Sequence, residues 1–168
     1  MQQSRVMVTG FEPFGAWTFN PSGEALGLIA RDLPGALTLR LPVDHAAAAA
    51  RIRAAVAEHR PQTLLLTGLM PDPVLRLETV ARPGPLVPWA GGVRAGRWPF
   101  AASAAALGAH GLPLRLSADA GRYVCDTTYW AALGTEVPRV VFLHVPPLSP
   151  AWPLRRIARA VAICAAAA

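Results

Sequence analysis

Lysine is absent from this 168-residue chain, and cysteine occurs only twice, as Cys125 and Cys164. Two cysteines without metal-ligand spacing exclude the disulfide framework of a small secreted domain, so a reducing compartment is expected. Long apolar runs are lacking too. Although 53% of the residues are hydrophobic, Arg, Pro or Gly interrupts every candidate before it reaches the length of a bilayer span. The opening MQQSRVMVTG has no signal-peptide hydrophobic region. A soluble, cytoplasmic protein with no membrane partner is the expectation.

The positive charge comes from arginine alone, and the formal net charge is +6. Such a balance suits nucleic-acid binding only where the charges cluster, commonly with exposed aromatics between them. Here they are single residues or loose pairs such as Arg51/Arg53 and Arg155/Arg156, and no nucleic-acid partner is expected. The length fits one domain over 1–168.

Strand-like and helix-like stretches alternate from end to end, which predicts an α/β fold with a largely parallel sheet covered by helices on both faces. Strands are expected at 5–9, 36–43, 63–67, 74–81, 113–117 and 137–147. Helices are expected from Pro21 to about Leu33, over 45–59 and 100–110, from Cys125 onward, and from about Pro153. The Pro- and Gly-crowded stretch 82–98 reads as a loop or irregular hairpin of a kind that often borders a site. Ligands in open α/β sheets bind beyond the carboxyl ends of the strands. Gly10–Gly15, Gly68–Pro71 and Pro146-Pro147 all fall there.

Two residues in this frame carry chemistry. Cys125 follows a glycine turn with a neighbouring arginine, Asp119-Ala-Gly-Arg-Tyr-Val-Cys125, and opens a helix, a setting that favours thiolate. His144 ends the buried strand VPRVVFLHVPP. A thiol at a helix start and an imidazole at a strand end make the two halves of a thiol hydrolase if the fold joins them. A carboxylate would orient the imidazole. Glu78, on the polar side of its alternating strand, is the best placed, while Asp44, Asp72, Asp119 and Asp126 stay open on spacing alone. Cys164, in the Ala-rich last helix, reads as a small buried hydrophobe.

These segments resemble the pyroglutamyl peptidase I family of cysteine peptidases. VTGFEPFG at 8–15, NPS at 20–22, LPV at 41–43, TGL at 67–69, LETVA at 77–81, SADAGRYVCDTTYW at 117–130 and FLHVPPLS at 142–149 fall in the family's order. The resemblance implies a three-layer α/β/α sandwich around a twisted, mostly parallel mixed sheet, and removal of N-terminal pyroglutamate from peptides or small amides. It implies Cys125 as nucleophile, His144 as base and then acid, and Glu78 as orienting carboxylate, through an acyl-enzyme. Phe11 and Phe14 would hold the pyrrolidone ring with Tyr123 and Val124 nearby, and main chain around Leu69 would meet the lactam. No metal and no organic cofactor is implied.

The chain departs from that pattern after Glu78, where the family has a longer polar tract that helps to stabilise the oxyanion. Residues 82–98 contain neither Asn nor Asp. Arg82, Arg94 and Arg97 are therefore the candidates for the missing positive group. A catalytically weakened homologue that binds a small ligand or partner is the alternative. Trp89 and Trp98, read as exposed, leave room for a homo-oligomer through this loop.

Overall fold

The computed structural model describes residues 6–86 and 92–168. Six strands form its main sheet: β1 (Val6–Phe11), β2 (Leu37–Leu41), β3 (Thr63–Leu69), β4 (Leu75–Glu78), β7 (Leu114–Ser117) and β8 (Arg139–Val145). Their order is β2-β1-β3-β8-β4-β7. All neighbours run parallel except β4 and β8, which are antiparallel. A two-residue antiparallel pair, β5 (Val80–Ala81) with β6 (Arg94–Ala95), stands apart from this sheet.

Both faces of the sheet are covered, as the near-continuous apolar strands require. Strand pleating sends alternate residues to opposite faces. Leu64, Leu66, Val140 and Phe142 pack with α3 (His45–His59) and α5 (Val124–Leu133). Leu65, Val141, Leu143 and Val145 pack with α2 (Leu26–Asp32), α4 (Phe100–Ala109) and α6 (Leu154–Ala166). Cys164 lies fully buried in this second layer, in agreement with its reading as a small hydrophobe. The expected three-layer sandwich is the fold observed.

Local chemistry sets the helix starts. The Asp44 carboxylate accepts from the Ala47 N–H at 2.7 Å and caps α3. Asn20 caps the one-turn helix α1 (Pro21–Glu24), whose Pro21 suits a first-turn position. The single helix expected from Pro21 to Leu33 forms as two pieces that meet at Ala25. Likewise the strand expected over 74–81 divides at Thr79 into β4, which stays in the main sheet, and β5, which leaves it. None of the helices among the described residues is long and apolar enough to cross a membrane.

Candidate active site

The antiparallel pairing of β4 with β8 brings the carboxylate to the imidazole. Arg76 lies opposite His144, and Glu78 opposite Phe142. Residues two apart on a strand share a face, so Arg76, Glu78, Phe142 and His144 all lie under α5. There Glu78 Oε1 is 2.8 Å from His144 Nδ1, and the two side chains are 0% and 1% exposed. An ionised carboxylate only accepts, so Nδ1 donates in this bond, and in the neutral ring the lone pair is then on Nε2. Phe142 packs on the imidazole at 4.7 Å between ring centroids, and the Tyr129 hydroxyl donates to the Glu78 carbonyl at 2.9 Å. Of the open carboxylates, Glu78 is the one the structure places on the histidine.

Cys125 is the second residue of α5, after the cap residue Tyr123. The turn before it uses Gly121 at φ +75°, a conformation that disfavours a side chain. The amides of a helix's first turn lack the usual acceptor four residues back, and of those beside the thiol the Asp126 N–H donates to Tyr123 O at 3.1 Å. The thiol reaches the sheet at Gly68, the register partner of His144. A Cβ at position 68 would sit 3.0 Å from Cys125 Sγ and 2.8 Å from Phe142 Cζ, so only glycine lets thiol and strand approach this closely.

The thiol itself departs from the sequence expectation. Cys125 is 9% exposed, and burial pushes its pKa up to about 12, with the Asp126 and Glu78 carboxylates adding to the rise. Its own backbone N–H opposes this without overcoming it. Arg122, whose guanidinium was expected to favour thiolate, is exposed to solvent. Burial thus favours the thiol, and a neighbouring base would aid thiolate formation. Burial likewise pushes Tyr129 upward, with Glu78 contributing, and raises Asp126, whose Oδ1 accepts from the Arg82 N–H.

A cavity of about 370 Å³ opens on this pair. Cys125 and His144 line it together with all five expected substrate contacts, Phe11, Phe14, Leu69, Tyr123 and Val124. Phe11 is core at the end of β1, whereas Tyr123 is 74% exposed at the rim. Asn20 holds the first loop in shape: its amide donates to Glu12 O, its Oδ1 accepts from Ser22, and Ser22 Oγ accepts from the Phe11 N–H. Phe14 and Trp17 close the loop through reciprocal backbone bonds of 3.1 and 2.9 Å.

Sequence reasoning missed Trp17, Val43 and His45, which also line the cavity. His45 Nδ1 lies 2.7 Å from Thr127 Oγ1 on α5. The signal for it was present: His45 follows β2, whose carboxyl end lies beside that of β1.

The three arginines expected at the oxyanion are placed elsewhere, and none lines the cavity. Arg97 donates to the carbonyls of Leu133, Thr135 and Val137, and Arg94 donates to Trp130 O with its guanidinium 4.0 Å from that ring. Both belong to the carboxyl end of α5, about 15 Å along the helix from its start. Arg82 bonds Ala118 O and lies 3.8 Å from Asp119. The reason is shared: the open carbonyls at a helix end and in a loop attract guanidinium donors. The described part of the 82–98 loop thus braces α5 instead of bordering the cavity. Trp98 is buried, its indole N–H on Ser103 Oγ, and offers no exposed patch; Trp89 lies outside the described residues.

Known proteins resemble this chain in sequence and fold. The family model described as pyroglutamyl peptidase matches residues 4–82. A pyrrolidone-carboxylate peptidase of Gloeobacter violaceus is 32% identical, over 84% of this chain and 81% of its own length. One from Deinococcus radiodurans is 31% identical over 96% and 93% of the two chains. The crystal structure of pyrrolidone carboxyl peptidase from Thermus thermophilus superposes with a TM-score of 0.85 at 32% identity, covering 95% of this chain and 97% of that one. With the fold, the motif order and these relatives in agreement, the chain belongs to the pyroglutamyl peptidase family of hydrolases.

Proposed function

We propose that the protein removes the N-terminal pyroglutamyl residue from peptides or small amides, with Cys125, His144 and Glu78 as a catalytic triad. The observation that carries this reading is the buried 2.8 Å bond between Glu78 and His144, next to a cavity that also holds Cys125. Cys125 Sγ attacks the scissile carbonyl carbon while its proton passes to His144 Nε2. The imidazolium, held by Glu78, then gives that proton to the departing amine, leaving a thioester. Water, deprotonated by His144, hydrolyses the thioester and regenerates the thiol.

The main-chain N–H groups at the start of α5 supply the oxyanion site, since helix-end donors suit developing negative charge. A five-membered lactam is small and neutral, which matches a cavity whose described lining carries no Arg, Asp or Glu. Phe11 and Phe14 grip its faces, and main chain at Leu69 meets its polar edge.

The test is release of a fluorescent amine from a pyroglutamyl amide under reducing conditions, with Cys125→Ser beside the wild type. Release that disappears in the variant supports the reading. Folded wild-type protein that binds the amide without cleaving it favours the weakened homologue instead.

A further inference from the structure

The Glu78–His144 pair has a third member. Arg76 lies two residues before Glu78 on β4 and directly opposite His144 across the antiparallel pairing. Its Nε is 3.5 Å from Glu78 Oε1, the same oxygen that accepts from His144. Its Nη2 donates at 2.7 Å to Ser117 Oγ and at 2.7 Å to the carbonyl of Asp119. Asp119 begins the turn that leads through Gly121 to Cys125, and its carboxylate accepts from the Gly121 N–H. One guanidinium therefore pairs with the carboxylate at 3.5 Å, although its buried Nε makes no hydrogen bond among the described residues, stands opposite His144 in the register and bonds the segment that leads to the nucleophile.

We propose that Arg76 is a positioning residue of the reaction: it sets its charge against the buried Glu78 carboxylate and ties the Glu78–His144 pair to the Ser117–Gly121 segment before Cys125. A carboxylate removed from water is stable as an anion only beside a cation or hydrogen-bond donors. Glu78 Oε2 is buried without a hydrogen-bond partner among the described residues, which leaves Oε1 and its neighbours to hold the charge. The other titratable groups near the pair come from α5. Cys125, Asp126 and Tyr129 each feel the Glu78 charge, and Arg97 is felt by Tyr129. Arg115, beside Arg76 on β7, points its charge at Asp72. Among the described residues Arg76 is thus the guanidinium that pairs with Glu78, and its loss removes a positive charge from beside both the carboxylate and the imidazole. The two effects have one sign, so the pair releases its protons at higher pH.

The inference rests on the peptidase reading for its kinetic consequence, but its electrostatic half is measurable without substrate. Arg76→Met and Arg76→Lys are compared with wild type in two ways: kcat and KM on a pyroglutamyl amide across pH, and titration of the His144 ring protons by NMR. For Arg76→Met the expected result is a loss of about 10- to 100-fold in kcat with KM little changed. The acid limb of activity and the NMR midpoint should both move up by about one pH unit. Arg76→Lys should restore both midpoints while recovering only part of kcat, because an ammonium cannot reproduce the fork that spans Glu78, Ser117 and Asp119.

Unmoved midpoints in a folded Arg76→Met overturn the proposal, since a purely structural residue would lower kcat without shifting them. Should Arg76→Met fail to fold, Arg76→Lys decides: a wild-type kcat removes the tether, and a shifted midpoint removes the charge. Wild-type protein that does not cleave the amide would defeat the peptidase reading alone, and the NMR titration would still judge Arg76.

Discussion

Glu78 and His144 meet across the antiparallel junction of an otherwise parallel sheet, with Oε1 2.8 Å from Nδ1 and both side chains sealed from solvent. The bond fixes which imidazole nitrogen is protonated and therefore which one is free to accept a proton. Glu78→Gln should keep the ring in place but let the amide NH2 face Nδ1 and favour the wrong tautomer. Loss of kcat by up to about 10,000-fold with a small change in KM is expected, by the size seen for such a change in serine peptidases. Steady-state kinetics check this, and wild-type kcat would make Glu78 structural.

The thiol pKa of about 12 makes reactivity at Cys125 depend on His144. In wild type, alkylation of Cys125 should proceed near neutral pH through proton transfer to the imidazole. In His144→Ala it should rise only as pH climbs toward about 12. Cys164 is likewise raised to about 12 by burial, is fully enclosed, and should stay unlabelled in folded protein. Rates from labelled-peptide mass spectrometry at several pH values provide the check.

The same raised values have a sign for stability. Below the unfolded thiol pKa, about 8.5, folded and unfolded chains both hold these protons and the stabilising preference for thiol is fully present. As pH rises toward about 12 the unfolded chain alone releases them, so stability falls. Thermal melts between these limits should show a declining Tm, and Cys164→Ala should flatten the decline.

A methyl group at Gly68 requires its neighbours to shift. Gly68→Ala would press on both Phe142 and Cys125 Sγ. A stability loss of about 1–3 kcal/mol is expected from overpacking, with a fall in kcat larger than that of an equally destabilised variant elsewhere. Denaturant titration and kcat per folded molecule separate the two effects.

Arg97 closes the far end of α5 by donating to three carbonyls. Arg97→Ala should lower stability by about 3–6 kcal/mol, the scale of two charge-assisted hydrogen bonds, while kcat per folded molecule stays near wild type. A selective loss of kcat would return Arg97 to the oxyanion.

Much of this was legible in the sequence because the decisive information was local. The sheet, its two helical layers and the positions of Cys125 and His144 at element ends follow from periodicity and capping. Glu78 could be preferred from its strand but not chosen, since only the antiparallel register of β4 on β8 puts it diagonal to His144. The fate of Arg94 and Arg97 was not legible. Their partners are main-chain carbonyls at the end of α5, and a backbone carbonyl leaves no mark in a sequence. The thiol's pKa was misjudged for a similar reason: a helix start was visible at Cys125, whereas the depth of its burial depends on Gly68 and Phe142 from other strands.

The central claim is that Cys125 carries the acyl group. Acid quenching of wild-type protein during turnover of a pyroglutamyl amide, followed by mass analysis of the Cys125 peptide, tests it most directly. The account predicts a 5-oxoprolyl thioester on Cys125 that is absent in Cys125→Ser and scarce in His144→Ala. Continued release of amine by Cys125→Ser, or an acyl group found on another residue, would contradict it.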